Sequence, residues 1–436
     1  MERHASRPES SLLRSHMTSC RTQRAGVAAL VLLTLGGACS EAPRGPAPAE
    51  LGPRPGYLVD RMEESPLKEK LRKCLGGRAV ANDFSIAHRG APLMFPEHTQ
   101  ESYVAAARMG AGILECDVTF TADAELVCRH AQCDLHATTN ILATPLASRC
   151  SEPFTPAELD PVTGELLKPA SARCCAGDLT LEEFKSPLLC GRMDAANPRA
   201  ATVEEYLRGG PAFRTDLYST CGTLLSHAES IELIASLGRK HIPELKSGDR
   251  DAIAAVFGGQ EAYARRLVEA YETAGVSPAD VWLQSFDLRD VLSWIETAPA
   301  FGRQAVLLDA GAEPRPDPVA FFESLSERGV RFVGPAIPLL LAVDASGDLV
   351  PSEYALAARR AGLGIVAWTI ERSGRIAEDV LADEREFYYA TTRATLGGDG
   401  DILRIIDVLA RDVGAAGLFS DWPATTTFYA NCLAIP

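Results

Sequence analysis

Phe84-Ser-Ile-Ala-His88-Arg89-Gly90, Ile113-Leu114-Glu115-Cys116-Asp117-Val118 and Leu126-Val127-Cys128-Arg129-His130 fall within one stretch of the chain, residues 84–130. The apolar run leading into each polar cluster reads as a short buried strand, which puts His88, Glu115, Asp117 and His130 at or near strand ends. Side chains alternate along a strand with period two, so Glu115 and Asp117 share a face and converge. Two carboxylates held that close repel each other unless a cation lies between them. A hard, oxygen-preferring divalent ion suits them, calcium or magnesium better than zinc. An isolated Glu-x-Asp more often marks the outer face of an edge strand, but the flanking Ile113, Leu114 and Val118 weigh against that reading. A single His at a strand end is usually a structural hydrogen-bonder. Together with the carboxylates and Arg89, however, the two histidines form a set suited to phosphate ester cleavage. One ring would take a proton from the nucleophile and the other would give one to the leaving oxygen, with a metal and Arg89 holding the phosphate.

Outward from this stretch, strand-like runs recur near 84–90, 112–121, 126–131, 240–246, 281–286, 304–309, 332–335, 364–370 and 417–421. Helical spacing or composition fills 98–109, 252–271, 287–297, 318–327 and 352–361. This alternation predicts a parallel sheet wrapped by helices. Nine candidates compete for eight barrel places, and 332–335, the shortest, is the one expected to stand outside. An open doubly wound sheet has the same periodicity. Polar clusters following so many different strands favour a barrel, whose loops at one face share a site. From Ala131 to Arg239 the alternation stops, and the segment holds Cys133, Cys150, Cys174, Cys175, Cys190 and Cys221. Removing 132–239 from 84–423 leaves a length close to the roughly 250 residues of an ordinary barrel. Because it departs directly after His130, this segment is expected as a disulfide-stapled cap over the mouth; staples that merely hold a surface excursion together are the competing reading.

Residues 1–39 read as an export signal: Arg21 and Arg24, the apolar run from Ala25 to Leu35, then Cys39. The run is too short for a membrane span. A lipoprotein-type signal would put a lipid on Cys39 and attach the protein to a membrane, although Gly36 stands where such signals usually carry Leu. The expected location is therefore periplasm, cell envelope or medium. Residues 40–75 form a Pro/Ala-rich linker and N-terminal segment, flexible to about Pro55; residues 76–436 form the barrel. Of the 12 cysteines, Cys20 and Cys39 belong to the signal, and the remaining even number points to disulfides. A zinc site ranks behind, since there is no Cys-x-x-Cys and the adjacent Cys174 and Cys175 chelate poorly. Cys116 is expected as small buried filler, Cys128 as the partner of a cap cysteine, and Cys74 and Cys432 as a bridge between the ends. The formal net charge of −15 argues against nucleic acid as a partner and against broad attraction to anionic lipid. An anionic substrate would be drawn in locally, by Arg89, Lys246 and the metal.

With Pro96-Glu97-His98-Thr99, Pro243-Glu244-Leu245-Lys246, Gln284-Ser285-Phe286, Trp368-Thr369 and Ser420-Asp421-x-Pro423 added in this order, the chain resembles the glycerophosphodiester phosphodiesterase family from about Phe84 to Pro423. The resemblance implies a TIM-type (β/α)8 barrel with the cysteine-rich insertion after the third strand. It implies metal-dependent hydrolysis of small-molecule glycerophosphodiesters to glycerol 3-phosphate and an alcohol. It further implies one divalent metal, calcium or magnesium, on Glu115, Asp117 and Glu244, His88 and His130 as the acid/base pair, and Arg89 and Lys246 on the phosphate. Glu97, Gln284, Phe286 and Trp368 are expected in the substrate pocket, with a core role for Phe286 and Trp368 equally open. Asp421 either supports the site or caps the turn at Pro423. Three positions depart from the family: His98 stands where Asn is usual, Ala124 where Gly is usual, and Ala131 where Asp is usual, the last bearing on the orientation of His130. Two other functions fit the residues less closely: a phospholipase D type activity on lysophospholipids, and an envelope protein that binds glycerophosphodiesters without cleaving them.

Overall fold

The computed structural model describes residues 47–435 apart from 194–195, 216, 219–220 and 312–315. The expected export signal, residues 1–39 with Cys39, lies outside the described residues. Parallel strands close into an eight-membered ring in chain order: Asn82–Ala87, a second strand in two pieces (Ala111–Leu114 and Asp117–Phe120), a third in two pieces (Lys240–His241 and Glu244–Leu245), then Gln284–Ser285, Val306–Asp309, Phe332–Pro335, Gly364–Ile370 and Gly417–Ser420. The first strand pairs with the second and the last, Ala87 standing opposite Leu114 and Ser420. Both halves of the second strand pair with the third, Leu114 with His241 and Asp117 with Glu244, which completes the ring. Inside it, Ile86, Ile113, Ile242, Val306, Leu308, Val366 and Phe419 form a buried plug. The larger core lies between the ring and its outer helices, as expected when each strand buries both faces.

Each strand is followed by a helix, beginning with Gln100–Arg108 and ending with Ala424–Leu433. Helix ends follow local chemistry. Ser226 and Glu229 make a capping box for His227–Ser236, and the left-handed Gly258 stops Arg250–Phe257 where the sequence reading ran one helix from 252 to 271. The N-terminal segment carries two helices, Arg54–Arg61 and Pro66–Cys74. It is tied down earlier than the expected flexible stretch allows: the Ala49 N–H donates to the Ala79 carbonyl and the Glu50 N–H to that of Arg108.

Two expectations about strands change places. Phe332–Pro335 belongs to the ring, paired along its length with Val306–Asp309. The run near 126–131 instead yields Leu126–Cys128, which folds back antiparallel on Asp117–Phe120. A barrel place is set by two parallel neighbours and not by length. The cysteine-rich excursion thus lies between the second ring strand with its hairpin and that strand's helix, His227–Ser236. It has its own core of Val127, Leu135, Ile141, Phe184, Tyr206 and Leu224 among others. Disulfides Cys133–Cys175, Cys150–Cys174 and Cys190–Cys221 staple it internally. Cys74–Cys432 joins the two ends as expected. Cys116 and Cys128 bond to each other, against both expectations, because hairpin register puts Cys128 opposite Val118 and within reach of the strand residue just before Asp117. No helix among the described residues is long and apolar enough to cross a membrane.

Candidate active site

The carboxylates of Glu115, Asp117 and Glu244 converge at the C-terminal end of the ring, all buried, with one oxygen from each within 4.8 Å of the others. Pairing of Glu244 with Asp117 across the second and third strands brings them together. Burial, then Asp117 and Glu244, push Glu115 well above the usual carboxylate range. Burial and Asp117 raise Glu244 to about 7 against the pull of Lys246. Burial also opposes ionisation of Asp117, yet Lys246, His98 and Arg89 hold it well below its ordinary value. The Lys246 ammonium lies 2.6 Å from Glu244 Oε1 and 3.9 Å from Asp117 Oδ1. Asp117 Oδ1 and Gln284 Oε1 are buried with no hydrogen-bond donor. Buried, unsatisfied hard oxygens are the donor set of a divalent cation such as calcium or magnesium.

His88 follows the first ring strand. Its Nδ1 lies 2.6 Å from Asp421 Oδ1, just past the last ring strand, and its Nε2 lies 4.0 Å from Glu115 Oε2. Burial works to neutralise Asp421, but Arg372, 3.0 Å from its other oxygen, and His88 keep it far below its ordinary pKa. An ionised Asp421 accepts the Nδ1–H and leaves Nε2 as a free acceptor facing the pocket. Burial and the adjacent Arg89 lower His88 to about 4, so the ring is neutral near pH 7. Asp421, left between two roles by sequence reasoning, is the partner that orients this ring.

Arg89 adopts a left-handed backbone, φ 57°. Its N–H donates to Glu115 Oε2 at 2.9 Å, and its guanidinium contacts Glu97 at 3.1 Å and Asp117 at 3.5 Å. Glu97 therefore sits behind Arg89 and braces it; it is not among the pocket-lining residues. His98, also left-handed at φ 54°, lies 2.8 Å from Asp117 Oδ2 through Nε2 and 3.0 Å from the Tyr103 hydroxyl through Nδ1. Ala124 is left-handed too, φ 63°. These are two of the departure positions, and Asn and Gly are the residues that tolerate this backbone best.

His130 hangs from the hairpin. Burial, then Arg89 and Lys246, depress it to about 2, and among the described residues its ring has no hydrogen bond. The third departure, Ala131, gives its N–H to Asp134 Oδ2 at 3.0 Å.

The pocket enclosed by these groups measures about 320 Å³ and is lined by His88, Arg89, Glu115, His130, Glu244 and Lys246 on its polar side. Gln284 Nε2 donates to Glu115 Oε1 at 2.8 Å, which fixes that carboxylate. Opposite, Phe286 meets Trp368 edge to face at 5.9 Å, and Trp368 stacks toward Phe387 at 6.1 Å. Phe286 and Phe387 are each 42% exposed, so Phe286 is a rim residue and not core. Arg372 and Tyr388, which the sequence reading did not single out, complete the lining. Their segment, 371–400, lacks the apolar run that marked the other clusters.

The excursion reaches this face. The Arg214 guanidinium donates to the Pro92 carbonyl at 2.7 Å, Tyr218 stacks on Phe95 at 5.1 Å, and Phe213 lies against Gly374, where a Cβ would come within 2.4 Å of its ring.

Comparison with known proteins gives a match over residues 88–425 to the model of the glycerophosphoryl diester phosphodiesterase family. An "extracellular protein" of Arthroderma benhamiae is 45% identical over 251 residues, 55% of this chain and 99% of that one. Similar solved structures include an Oleispira antarctica phosphodiesterase in complex with the product sn-glycerol-3-phosphate (17% identity, 79% of this chain and 95% of that one, TM-score 0.46). A glycerophosphodiester phosphodiesterase from Agrobacterium tumefaciens is similar at 14% identity over 78% of this chain and 98% of that one, TM-score 0.45. With the family model spanning the barrel from its first candidate histidine to beyond Asp421, the chain belongs to the glycerophosphoryl diester phosphodiesterase family.

Proposed function

We propose that the protein is an exported, metal-dependent enzyme that hydrolyses water-soluble glycerophosphodiesters to glycerol 3-phosphate and an alcohol, with His88 and His130 as its acid/base pair. The observation that carries this reading is the buried convergence of Glu115, Asp117 and Glu244 beside Arg89, Lys246 and His88. Glu115, Asp117 and Glu244 would hold a divalent cation, which would supply positive charge to the phosphate. Arg89 and Lys246 hold the non-bridging oxygens. Arg89 is braced from behind by Glu97, so it holds its position as charge develops. His88 Nε2, oriented by Asp421, takes the proton of the attacking hydroxyl. His130 delivers a proton to the alcohol oxygen as its bond to phosphorus breaks. Burial and neighbouring cations keep both rings neutral near pH 7; the bound phosphate anion raises the proton affinity of His130, which takes its proton from solvent before passing it to the alcohol oxygen. The nucleophile is either water or the neighbouring glycerol hydroxyl, whose attachment beside phosphorus avoids a bimolecular encounter; in the second case the alcohol leaves a cyclic phosphate, which water then opens to glycerol 3-phosphate.

Ten cysteines paired in five disulfides and the leader-like residues 1–39 support export, and the Arthroderma relative is named an extracellular protein. The contacts of the excursion with the loops at Pro92, Phe95 and Gly374 support its reading as a cap, drawn from residues 132–239, that shapes access to the pocket. A second substrate reading, lysophospholipid cleavage of the phospholipase D type, is favoured by one observation, the exposed rim of Phe286 and Phe387 beside Trp368.

The deciding experiment measures glycerol 3-phosphate release from glycerophosphocholine by the mature protein, with chelator and then with calcium or magnesium restored. Turnover abolished by chelator and recovered with one metal is expected. Cleavage of lysophosphatidylcholine alone would move the assignment to lipids, and no turnover on either by folded protein would leave a binding role.

A further inference from the structure

His130 is placed by its main chain, since its ring is tied to no other side chain among the described residues. The strand it leaves, Leu126–Cys128, is short: it pairs with Asp117–Phe120 on one side, and on the other it is held by one bridge, Val127 to Ser226, with the Cys128 N–H on the Leu225 carbonyl at 3.2 Å. Past Cys128, one ladder bond continues, from the Arg129 N–H to the Asp117 carbonyl at 2.8 Å. A hairpin end with so few bonds frays readily.

Two features act against that fraying. The Cys116–Cys128 disulfide, with a Cα separation of 5.4 Å, runs from the residue between Glu115 and Asp117 to the residue two before His130. Arg129, wholly buried, donates from Nε to the Cys128 carbonyl at 2.7 Å, from Nη1 to Thr138 Oγ1 at 3.0 Å, and from Nη2 to the Glu97 carbonyl. The disulfide thus fixes the hairpin to the strand that bears two carboxylates, and Arg129 fixes it to the loop that braces Arg89. None of the other four disulfides lies between two of the site carboxylates. The Cys116–Cys128 bond spans only 12 residues that the hairpin already holds together, so its effect on chain entropy is modest and its geometric effect dominates.

We infer that Cys116–Cys128 and Arg129 are positioning residues for the reaction: they fix the distance of His130 from the carboxylate cluster. The inference rests on the proposed role of His130 as proton donor. A displacement of about 1 Å of a catalytic group is enough to cost about 10²-fold in rate.

The test compares three forms on glycerophosphocholine. Cys116→Ala/Cys128→Val removes the disulfide while keeping small apolar side chains. Arg129→Lys keeps the charge but loses the forked contacts, and it serves if the cysteine variant fails to fold. Cys74→Ala/Cys432→Ala removes the staple joining the chain ends. Expected are a fall in kcat of about 10-fold or more with KM within about 3-fold for the first two, a changed limb of the pH–rate profile reporting the acid group, and unchanged kcat for the third. Wild-type kcat and pH profile in the first two, while His130→Ala loses turnover, would overturn the inference. Turnover retained in His130→Ala would overturn the reading beneath it.

Discussion

His88 leaves the first strand of a closed ring and is gripped through its own Nδ1 by Asp421 from the last strand. His130 leaves an antiparallel hairpin appended to that ring, and its ring nitrogens have no such partner among the described residues. The barrel side thus fixes a tautomer with a side chain that is itself held by Arg372. The hairpin side fixes a position through backbone, guanidinium and disulfide. A barrel interior supplies a second strand end within hydrogen-bond reach of the first, which an appended hairpin lacks, so precision there must come through the main chain.

The largest effect that would break this contrast is expected on the barrel side. Asp421→Asn should lower kcat about 10²-fold with little change in KM, because an amide cannot hold the Nδ1–H tautomer as a carboxylate does. Steady-state kinetics with wild-type-like thermal unfolding would check it, and an unimpaired kcat would remove the distinction between the histidines.

A smaller effect belongs to the hairpin side. His227 is buried with its Nδ1 3.4 Å from Cys116 Sγ, and burial followed by His241 lowers it from 6.5 to about 3. Its folded pKa lies below its unfolded one, so its contribution to stability is present above pH 6.5 and is lost as pH falls toward 3. By pH 5 the loss should be about 2 kcal/mol. Denaturant unfolding between pH 7 and 5 should show at least this loss, and His227→Phe should reduce it by that amount; an unchanged slope would assign the acid sensitivity to the other buried histidines, His88, His98, His130 and His241.

The smallest effect sharpens the contrast. Asp134 meets the backbone N–H of Ala131 and not the His130 ring, so Asp134→Asn should keep kcat within about 3-fold while leaving the fold intact. A loss matching that of Asp421→Asn would make the two histidines alike after all.

The carboxylate pair was legible because strand alternation is a local rule, and Glu115 and Asp117 obey it. Membership of the ring was not. Phe332–Pro335 looked too short, yet Gly334 lies where a Cβ would clash with Leu308 and Val306, a packing requirement set by neighbours remote in sequence. Leu126–Cys128 looked like a barrel strand because it is apolar throughout, but Val127 is covered by the core of the excursion and not by barrel helices. Asp421 was visible as a residue and not as a partner, since its bond to His88 joins the two ends of the ring. Arg372 and Tyr388 reach the pocket from a segment with little regular structure, where no periodicity marks which side chains turn inward. The even cysteine count announced disulfides, and register alone decided that Cys128 pairs with Cys116.

The bridge between Cys74 and Cys432 makes the entire barrel a covalent circle, with a sequence separation of 358. A single proteolytic cut in any loop between them linearises that circle without releasing a fragment. The same closure narrows the unfolded ensemble, by on the order of 5 kcal/mol if loop entropy alone counts. Tolerance of a single proteolytic cut is therefore built into the topology of the chain.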